Sequence, residues 1–164
     1  MSLEITVKND STDESDVTIA GRIDENCEQA LSSLFSLKGK KVSLDLQGVE
    51  SVNSLGFRHW INFMNGITAD HKVHILHCSA ELICQASVVA RFFVGATIES
   101  FYGAFTCEHC KHEGNILFET KDGRETIQNR IENARCPACS EEWDLDEDTE
   151  SFLEFMKRQP SKAS

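Results

Sequence analysis

The sequence lacks both a long apolar run and an excess of positive charge. No stretch approaches the roughly 20 consecutive apolar residues that a transmembrane helix needs. The first ten residues, MSLEITVKND, lack the basic and apolar regions of a secretion signal. The 27 Asp and Glu residues outnumber the 16 Lys and Arg residues, and the resulting net charge of −11 repels a phosphate backbone. We therefore expect a cytoplasmic protein without membrane insertion, for which nucleic acid is an unlikely partner.

The sequence also lacks the residue sets that carry most catalytic chemistry. It shows no serine, histidine and acid combination, no glycine-rich phosphate loop and no carboxylate pair that spacing alone brings together. The chain is therefore predicted not to be an enzyme. Its 164 residues, of which 40% are hydrophobic, suffice for one core and a small second module.

Residues 41–64, KVSLDLQGVESVNSLGFRHWINFM, predict a strand, a tight turn and a helix. Apolar residues first alternate with polar ones, which is typical of a strand. They then recur at the three- and four-residue spacing of one helical face, at Leu55, Phe57, Trp60, Ile61 and Met64. Between the two patterns, Asn53 or Ser54 can accept hydrogen bonds from the free N–H groups of the first helical turn. Residues 66–71 are predicted to form a connecting loop.

The flanking segments complete an α/β pattern. Alternation in residues 3–7 and 17–21 predicts a hairpin, and Asp24 is expected to cap a helix. The apolar face of that helix is predicted to comprise Cys27, Ala30, Leu31, Leu34 and Phe35. Residues 73–78 predict a further strand, Ser79 opens a third helix, and residues 96–105 predict a last strand. This order predicts a mixed β-sheet with helices packed against it.

Two of these segments resemble the STAS domain, the fold of bacterial anti-sigma factor antagonists. Ala20-Gly21-Arg22-Ile23-Asp24 is similar to the end of the family's strand before its first helix. Val52-Asn53-Ser54-Leu55-Gly56 is similar to the turn that reads Asp-Ser-Ser-Gly in the family. The resemblance covers roughly residues 3–100 and implies a STAS-like mixed sheet with packed helices.

The turn departs from the family pattern at the position of the phosphorylated serine. That serine immediately precedes the glycine, and the position is Leu55 here, while Ser54 matches the preceding serine and Asn53 replaces the acid. The resemblance implies a signalling protein in transcription regulation that binds an anti-sigma factor or a related kinase-like protein. The implied contact residues are Asn53, Ser54, Leu55, Gly56 and Arg58. Because Leu55 cannot be phosphorylated, we hypothesise a permanent apolar contact, which requires an exposed Leu55 side chain.

Two other functions fit the same pattern. STAS proteins also serve as accessory subunits in larger assemblies such as lipid-transport ABC systems. Alternatively, the second module could bind nucleic acid through Lys111, His112, Lys121 and Arg124. The sequence also leaves open whether the chain forms a homodimer.

Four of the seven cysteines form two C-x2-C pairs, which predict a structural zinc site of the zinc-ribbon type. Cys107 and Cys110 are separated by 25 residues from Cys136 and Cys139, and two such knuckles complete a tetrahedron of thiolates. A rubredoxin-like iron site uses similar pairs but usually has a glycine after each knuckle, where this chain has Lys111 and Ser140. A redox dithiol would be expected to use one pair in front of a helix.

The chain is predicted to contain three units that pack together. They are a STAS-like domain in residues 1–103, a zinc-ribbon-like module in residues 104–147, and a C-terminal helix and tail in residues 148–164. Between the knuckles, residues 116–123 predict a small hairpin. Trp143 and Leu145 are expected to pack on the ribbon or the sheet, and Thr149 to cap the last helix. That helix carries an apolar stripe of Phe152, Phe155 and Met156.

Overall fold

In the computed structural model, which describes residues 2–158, a five-stranded sheet forms the larger part of the fold. Its strands lie in the order β1-β2-β3-β4-β5. They are β1 (Glu4–Asp10), β2 (Glu14–Ile23), β3 (Lys41–Val52), β4 (Lys72–Leu76) and β5 (Thr97–Ile98). β1 is antiparallel to β2, and the other neighbouring pairs are parallel. The predicted mixed sheet is therefore confirmed.

Three helices connect the parallel strands, as the predicted element order requires. They are α1 (Glu28–Ser32), α2 (Ser54–Asp70) and α3 (Ala80–Val88). A 3-10 helix, Ser33–Ser36, continues α1. Ser79 caps α3 through its side chain, and Trp60 of α2 is fully buried, with its indole N–H donating to the carbonyl of Phe92 at 3.0 Å. The predicted α/β fold class is confirmed.

Helix α2 is longer than predicted, and its predicted core face is confirmed only in part, at Trp60 and Met64. It continues through Gly66 to Asp70, where a loop was expected. A Cβ atom at Gly66 would lie only 2.8 Å from the Phe35 ring, so glycine lets that ring pack directly on α2. The buried residues of α2 are Gly56, Trp60, Phe63, Met64 and Ile67, whereas Leu55 is exposed and Phe57 and Ile61 are half-buried.

Helix α1 begins later than predicted. Asp24 does not cap it, because its carboxylate accepts from the backbone N–H of Asn26 at 2.9 Å, in a turn that precedes the helix. Cys27 occupies the cap position instead, without a side-chain hydrogen bond. Phe35 was expected on the buried face, but 46% of it is exposed because it lies over α2 at Gly66.

A second, three-stranded sheet follows, in the order β7-β6-β8. Its strands are β6 (Ser100–Thr106), β7 (Glu113–Glu119) and β8 (Asp144–Leu145), and all pairs are antiparallel. The two sheets are joined at Cys78, just after β4. Its N–H donates to the carbonyl of Ser100, and its carbonyl accepts from the N–H of Tyr102.

The segment between the cysteine pairs is not the predicted hairpin. Residues 113–119 form β7, which pairs with β6, a strand that precedes the first cysteine pair. The apolar residues that suggested a local hairpin, Ile116, Leu117 and Phe118, face this earlier strand. After a short 3-10 helix, Thr120–Asp122, the chain forms helix α4 (Arg124–Glu132). Its buried residues, Ile127 and Ile131, are four positions apart and therefore lie on one helical face.

The C-terminal segment packs on the rest of the molecule, as predicted. It contains α5 (Thr149–Phe152) and a 3-10 helix, Glu154–Arg158. Asp148 caps α5 instead of Thr149, because its carboxylate accepts from the N–H of Ser151. Phe152 and Phe155 contact the Phe101 ring, and the Ser87 hydroxyl donates to the carbonyl of Phe152. The predicted tail beyond residue 158 lies outside the described residues.

Buried residues from all three predicted units form one hydrophobic cluster. This cluster runs from Val17 in β2 through Phe101 and Phe118 of the second sheet to Phe155. The predicted boundaries between the three units remain a proposal. Among residues 2–158, none of the helices is both long enough and apolar enough to span a bilayer.

Candidate metal centre and docking turn

The structure brings the four predicted ligand cysteines together. Their sulfur atoms all lie within 4.8 Å of one another. The Sγ atoms of Cys107 and Cys139 are 3.6 Å apart, and those of Cys110 and Cys136 are also 3.6 Å apart. A tetrahedral thiolate site with a metal–sulfur distance of about 2.3 Å has sulfur–sulfur edges of about 3.8 Å. The donor set and its spacing therefore fit a four-coordinate metal ion.

The two knuckles have matching backbone geometry. In the first, the N–H of Lys111 donates to the carbonyl of Cys107 at 2.8 Å, and in the second the N–H of Ser140 donates to the carbonyl of Cys136 at 2.8 Å. Both residues after the knuckles adopt left-handed conformations, with φ of 64° at Lys111 and 66° at Ser140. Each turn therefore directs its two sulfur atoms to the same side.

This geometry corrects one argument against iron. The lack of glycine after each knuckle was taken to disfavour a rubredoxin-like site. Lys111 and Ser140 nevertheless hold the φ values that glycine adopts most easily. A tetrahedral set of four sulfurs suits zinc as well as iron.

Two of the four thiols have shifted pKa values. Burial opposes ionisation of Cys136, but hydrogen bonds from the N–H groups of Ala138 and Cys139 lower its pKa to about 7. At Cys139 the N–H of Glu141 favours the thiolate, but burial and the three neighbouring thiols outweigh it and raise the pKa to about 12. Four adjacent thiolates repel one another, and a divalent cation offsets that repulsion because coordinated thiols lose their protons.

The cysteine cluster is tied to the second sheet by Trp143. This residue is 7% exposed, and its indole N–H donates to the carbonyl of His112 at 3.3 Å. Its ring lies 5.2 Å from that of Phe105, centroid to centroid. The N–H of Trp143 also donates to the carbonyl of Ala134, which precedes the second knuckle. The predicted packing of Trp143 on the ribbon is confirmed, and it connects both knuckles to β6.

Residues 53–58, the predicted contact with a partner, are referred to below as the docking turn, and they lie where α2 begins. Asn53 is extended, and its side-chain oxygen accepts from the N–H of Gly56 at 2.8 Å. Of the two residues predicted to cap α2, Asn53 and Ser54, the cap is therefore Asn53. Its backbone N–H donates to the carbonyl of Ile23 at the end of β2. A Cβ atom at Gly56 would overlap that same carbonyl. Glycine is therefore required for α2 to approach β2 this closely.

The side chains around this turn divide into buried and exposed groups. Gly56 is buried, Asn53, Ser54 and Arg58 are exposed, and Leu55 is 53% exposed. The condition that the hypothesis placed on Leu55 is thus met. Four of the five predicted contact residues are therefore exposed, whereas Gly56 is buried against the end of β2.

Two acidic residues beside the turn, Glu25 and Glu28, were not among the predicted contact residues. The amide N–H2 of Asn53 donates to the carboxylate of Glu25 at 2.8 Å, and this hydrogen bond lowers the pKa of Glu25 below its usual 4.5. Glu28 lies 3.7 Å from the imidazole of His59, one turn into α2. Because β2 and β3 are parallel neighbours, the segments that follow them, residues 24–28 and 53–59, lie side by side, and the alternating order of strands and helices in the sequence was the available signal.

The chain is similar to a solved structure but to no protein-family model. No protein-family model matches the sequence, and no curated protein matches it. Among solved structures, an anti-sigma factor antagonist from Mycobacterium paratuberculosis is similar, with a TM-score of 0.43 and 18% sequence identity. The match covers 53% of this chain and 77% of that chain. A likeness of this size does not establish a shared family or function.

Proposed function

We propose that this protein is a non-catalytic regulatory protein that binds another protein through residues 53–58. The STAS resemblance of its sequence implies an anti-sigma factor or a related kinase-like protein as the partner. The observation that carries the proposal is the exposure of Leu55, which is 53% accessible in the first turn of α2. This apolar side chain contributes little to the protein's own core.

Burial of Leu55 by a partner would stabilise a complex. Complete burial of a leucine side chain contributes about 1.5–3 kcal/mol. Because roughly half of Leu55 is already covered, contact with a partner adds on the order of 1 kcal/mol from this side chain alone. The remaining affinity comes from the polar rim, to which Asn53, Ser54 and Arg58 belong.

The turn is held in one conformation before any partner arrives. Asn53 is bonded at its backbone N–H, its side-chain oxygen and its side-chain nitrogen. Such preorganisation lowers the entropic cost of binding. The acidic side chains of Glu25 and Glu28 border the turn, and they favour a partner surface with positive charge.

Leucine at position 55 also bears on regulation. A phosphate at this position would add about two negative charges to the docking surface and change partner binding. Leu55 cannot accept a phosphate, so binding at the turn depends on how much partner is present or on another signal. In this proposal the surface is permanently competent for binding.

The four cysteines are proposed to hold a structural zinc ion. Four thiolates fill a tetrahedral coordination shell and leave no position for a substrate. The ion would join the end of β6 to the segment that follows α4, since the first knuckle follows Thr106 and the second follows Glu132. Its proposed role is to hold the second sheet together.

Differential affinity capture from the native host tests the docking surface. The wild-type chain, a Leu55→Asp variant and a Val88→Asp variant are immobilised in parallel, and captured proteins are quantified by mass spectrometry. Val88 is a matched control because it is 80% exposed at the end of α3. Aspartate at position 55 should not unfold α2, since an acid in the first helical turn interacts favourably with the helix dipole.

The proposal predicts a kinase-like or anti-sigma protein that is captured by the wild-type chain and by the Val88 variant but lost with Leu55→Asp. Capture of the same proteins by all three chains would contradict the proposed surface. Capture of transport subunits through Leu55 would retain the surface but replace the partner class.

A further inference from the structure

A groove lies between α1 and α2, beside the docking turn. Its volume is about 100 Å³, which is smaller than the roughly 300–1,000 Å³ of sites that hold small molecules. A single side chain of another protein is a better match for this size. We refer to it as the α1–α2 groove, and its lining includes Glu28, Ser32, Phe35, His59, Asn62 and the buried Phe63.

The groove lies on the same face of α2 as Leu55. Four, seven and eleven positions after Leu55 come His59, Asn62 and Gly66. These spacings return to one side of a helix. The resulting stripe begins at the docking turn and ends about 16 Å further along the helix, where the Phe35 ring packs on Gly66. A partner element that lies along this stripe from Leu55 therefore also covers the groove.

Phe35 gives the groove an exposed aromatic ring. This residue is 46% exposed, and its ring centroid lies 5.7 Å from that of Phe63. The face of an aromatic ring attracts a cation as well as an apolar group. The same chain contains such a contact, in which the guanidinium carbon of Arg130 lies 4.9 Å from the centroid of the Phe118 ring.

Glu28 gives the groove a negative charge. Its side chain is 74% exposed, and its carboxylate lies 3.7 Å from the imidazole of His59. In the part of the chain that the structure describes, no hydrogen bond reaches this carboxylate. Apart from His59, Glu28 is the only acidic or basic residue in the lining. A cation that enters the groove therefore meets both an aromatic ring and a carboxylate.

An arginine side chain matches this combination better than a lysine. The guanidinium group is planar, so it can stack on the Phe35 ring while its N–H groups donate to the Glu28 carboxylate. An ammonium group has no planar face and is more strongly hydrated.

We propose that the α1–α2 groove receives an arginine side chain of the protein that binds the docking turn. In the complex the guanidinium group contacts Phe35 and Glu28, and an apolar side chain of the same partner covers Leu55. Leu55 and Asn62 are seven residues apart, so the two partner side chains lie about 10 Å apart. The groove extends the docking surface, and its role therefore rests on the proposed function.

A titration with the side-chain analogue n-propylguanidinium tests the groove without a partner. Two-dimensional 1H–15N NMR spectra of the full chain are recorded at constant ionic strength, and n-propylurea, a planar uncharged analogue, is titrated in parallel. We expect saturable shifts at Glu28, Phe35, His59 and Asn62, with the guanidinium bound at least about threefold more tightly than the urea.

Variants assign this binding to the two proposed contacts. Glu28→Gln and Phe35→Leu should each weaken binding of n-propylguanidinium about threefold or more. Glu125→Gln should leave it unchanged, because Glu125 is also an exposed glutamate in the first turn of a helix, α4, but does not line the groove. Shifts spread over carboxylates of the whole surface, equal binding of the urea, or no saturable binding would overturn the proposal.

The protein partner provides the second arm. Glu28→Lys should raise the dissociation constant of the partner about tenfold or more, whereas Glu125→Lys should not change it. Equal affinity of these two variants would overturn the proposal while leaving the docking turn in place. If no partner depends on Leu55 but n-propylguanidinium binds as expected, the proposed function fails and the cation-binding groove stands.

Discussion

Lys111 and Ser140 hold left-handed backbone conformations that cost a non-glycine residue roughly 1–2 kcal/mol. Substitution by glycine removes this strain but raises the entropy of the unfolded chain. We therefore expect Lys111→Gly and Ser140→Gly each to raise the free energy of unfolding by about 0.5–1 kcal/mol. Urea denaturation of the metal-loaded protein measures this change. Glu108→Gly, in the same knuckle but without a positive φ, should lower stability, and an equal gain there would show that strain is not the cause.

The sequence alone predicted the roles of some residues but not of others. The C-x2-C spacing predicted that four sulfur atoms would meet, because two residues between ligands fix the shape of each knuckle. Asn53 as a cap followed from its place before a helical pattern. The exposure of Leu55 did not follow, because its spacing places it with the core residues of α2. In the structure it is Gly56, the next residue, that lies against Ile23, and Leu55 is exposed.

At the scale of elements, the hairpin of β1 and β2 is held to the loop before β3 by Asp10. Its carboxylate accepts from the N–H of Lys38 at 2.9 Å and from the hydroxyl of Ser15 at 2.7 Å. These two hydrogen bonds hold the pKa of Asp10 below its usual 3.8, and the one from Lys38 has the larger effect. A lowered pKa stabilises the folded state above pH 3.8, and this contribution is lost as the pH falls through the folded-state value.

Asp10→Asn should therefore destabilise the protein at neutral pH and have a smaller effect in acid. Urea denaturation of wild type and variant at pH 7 and near pH 3 measures the difference in unfolding free energy at each pH. Asp13→Asn, an exposed change in the same turn, is the control for net charge. If the difference between wild type and Asp10→Asn is the same at both pH values, the ionised carboxylate is not the stabilising group.

Some strands and helices were predicted correctly, whereas helix α4 and the end of α2 were missed. Strands β2 to β4 and helix α3 follow clear periodicities, so their order was correct. Helix α4 was missed because most of its residues are polar and only Ile127 and Ile131 are buried. The end of α2 was missed because Gly66 normally indicates a break. The Phe35 ring that covers Gly66 comes from a distant part of the sequence.

At the scale of the whole molecule, the cysteine cluster shares its surroundings with the main core. Cys107 and Cys136 are buried in the same cluster as Phe105, Phe118 and Phe101, and Phe101 contacts the C-terminal segment. Loss of the metal should therefore affect more than the two knuckles. We expect one cooperative unfolding transition for the metal-loaded chain, because the units have a common hydrophobic core.

Removal of the metal provides the corresponding prediction. Ligation by four cysteines contributes on the order of 10 kcal/mol to folding in small zinc modules. We expect one zinc ion per chain by elemental analysis, and a fall in melting temperature of about 10 °C or more after chelation. Cys110→Ser should lose the ion, whereas Cys84→Ser, outside the cluster, should retain it. Iron in place of zinc would correct the identity of the ion, and full stability without metal would contradict its structural role.

The most direct test of the account is a titration of the captured partner with purified wild-type, Leu55→Asp and Val88→Asp chains. The account predicts that Leu55→Asp weakens binding at least about tenfold, because a charge replaces an apolar contact at the interface. The Val88→Asp chain should bind like wild type, and all three chains should be folded at the temperature of the titration. Equal affinity for the wild-type and Leu55→Asp chains would show that the partner binds elsewhere and would contradict the central claim.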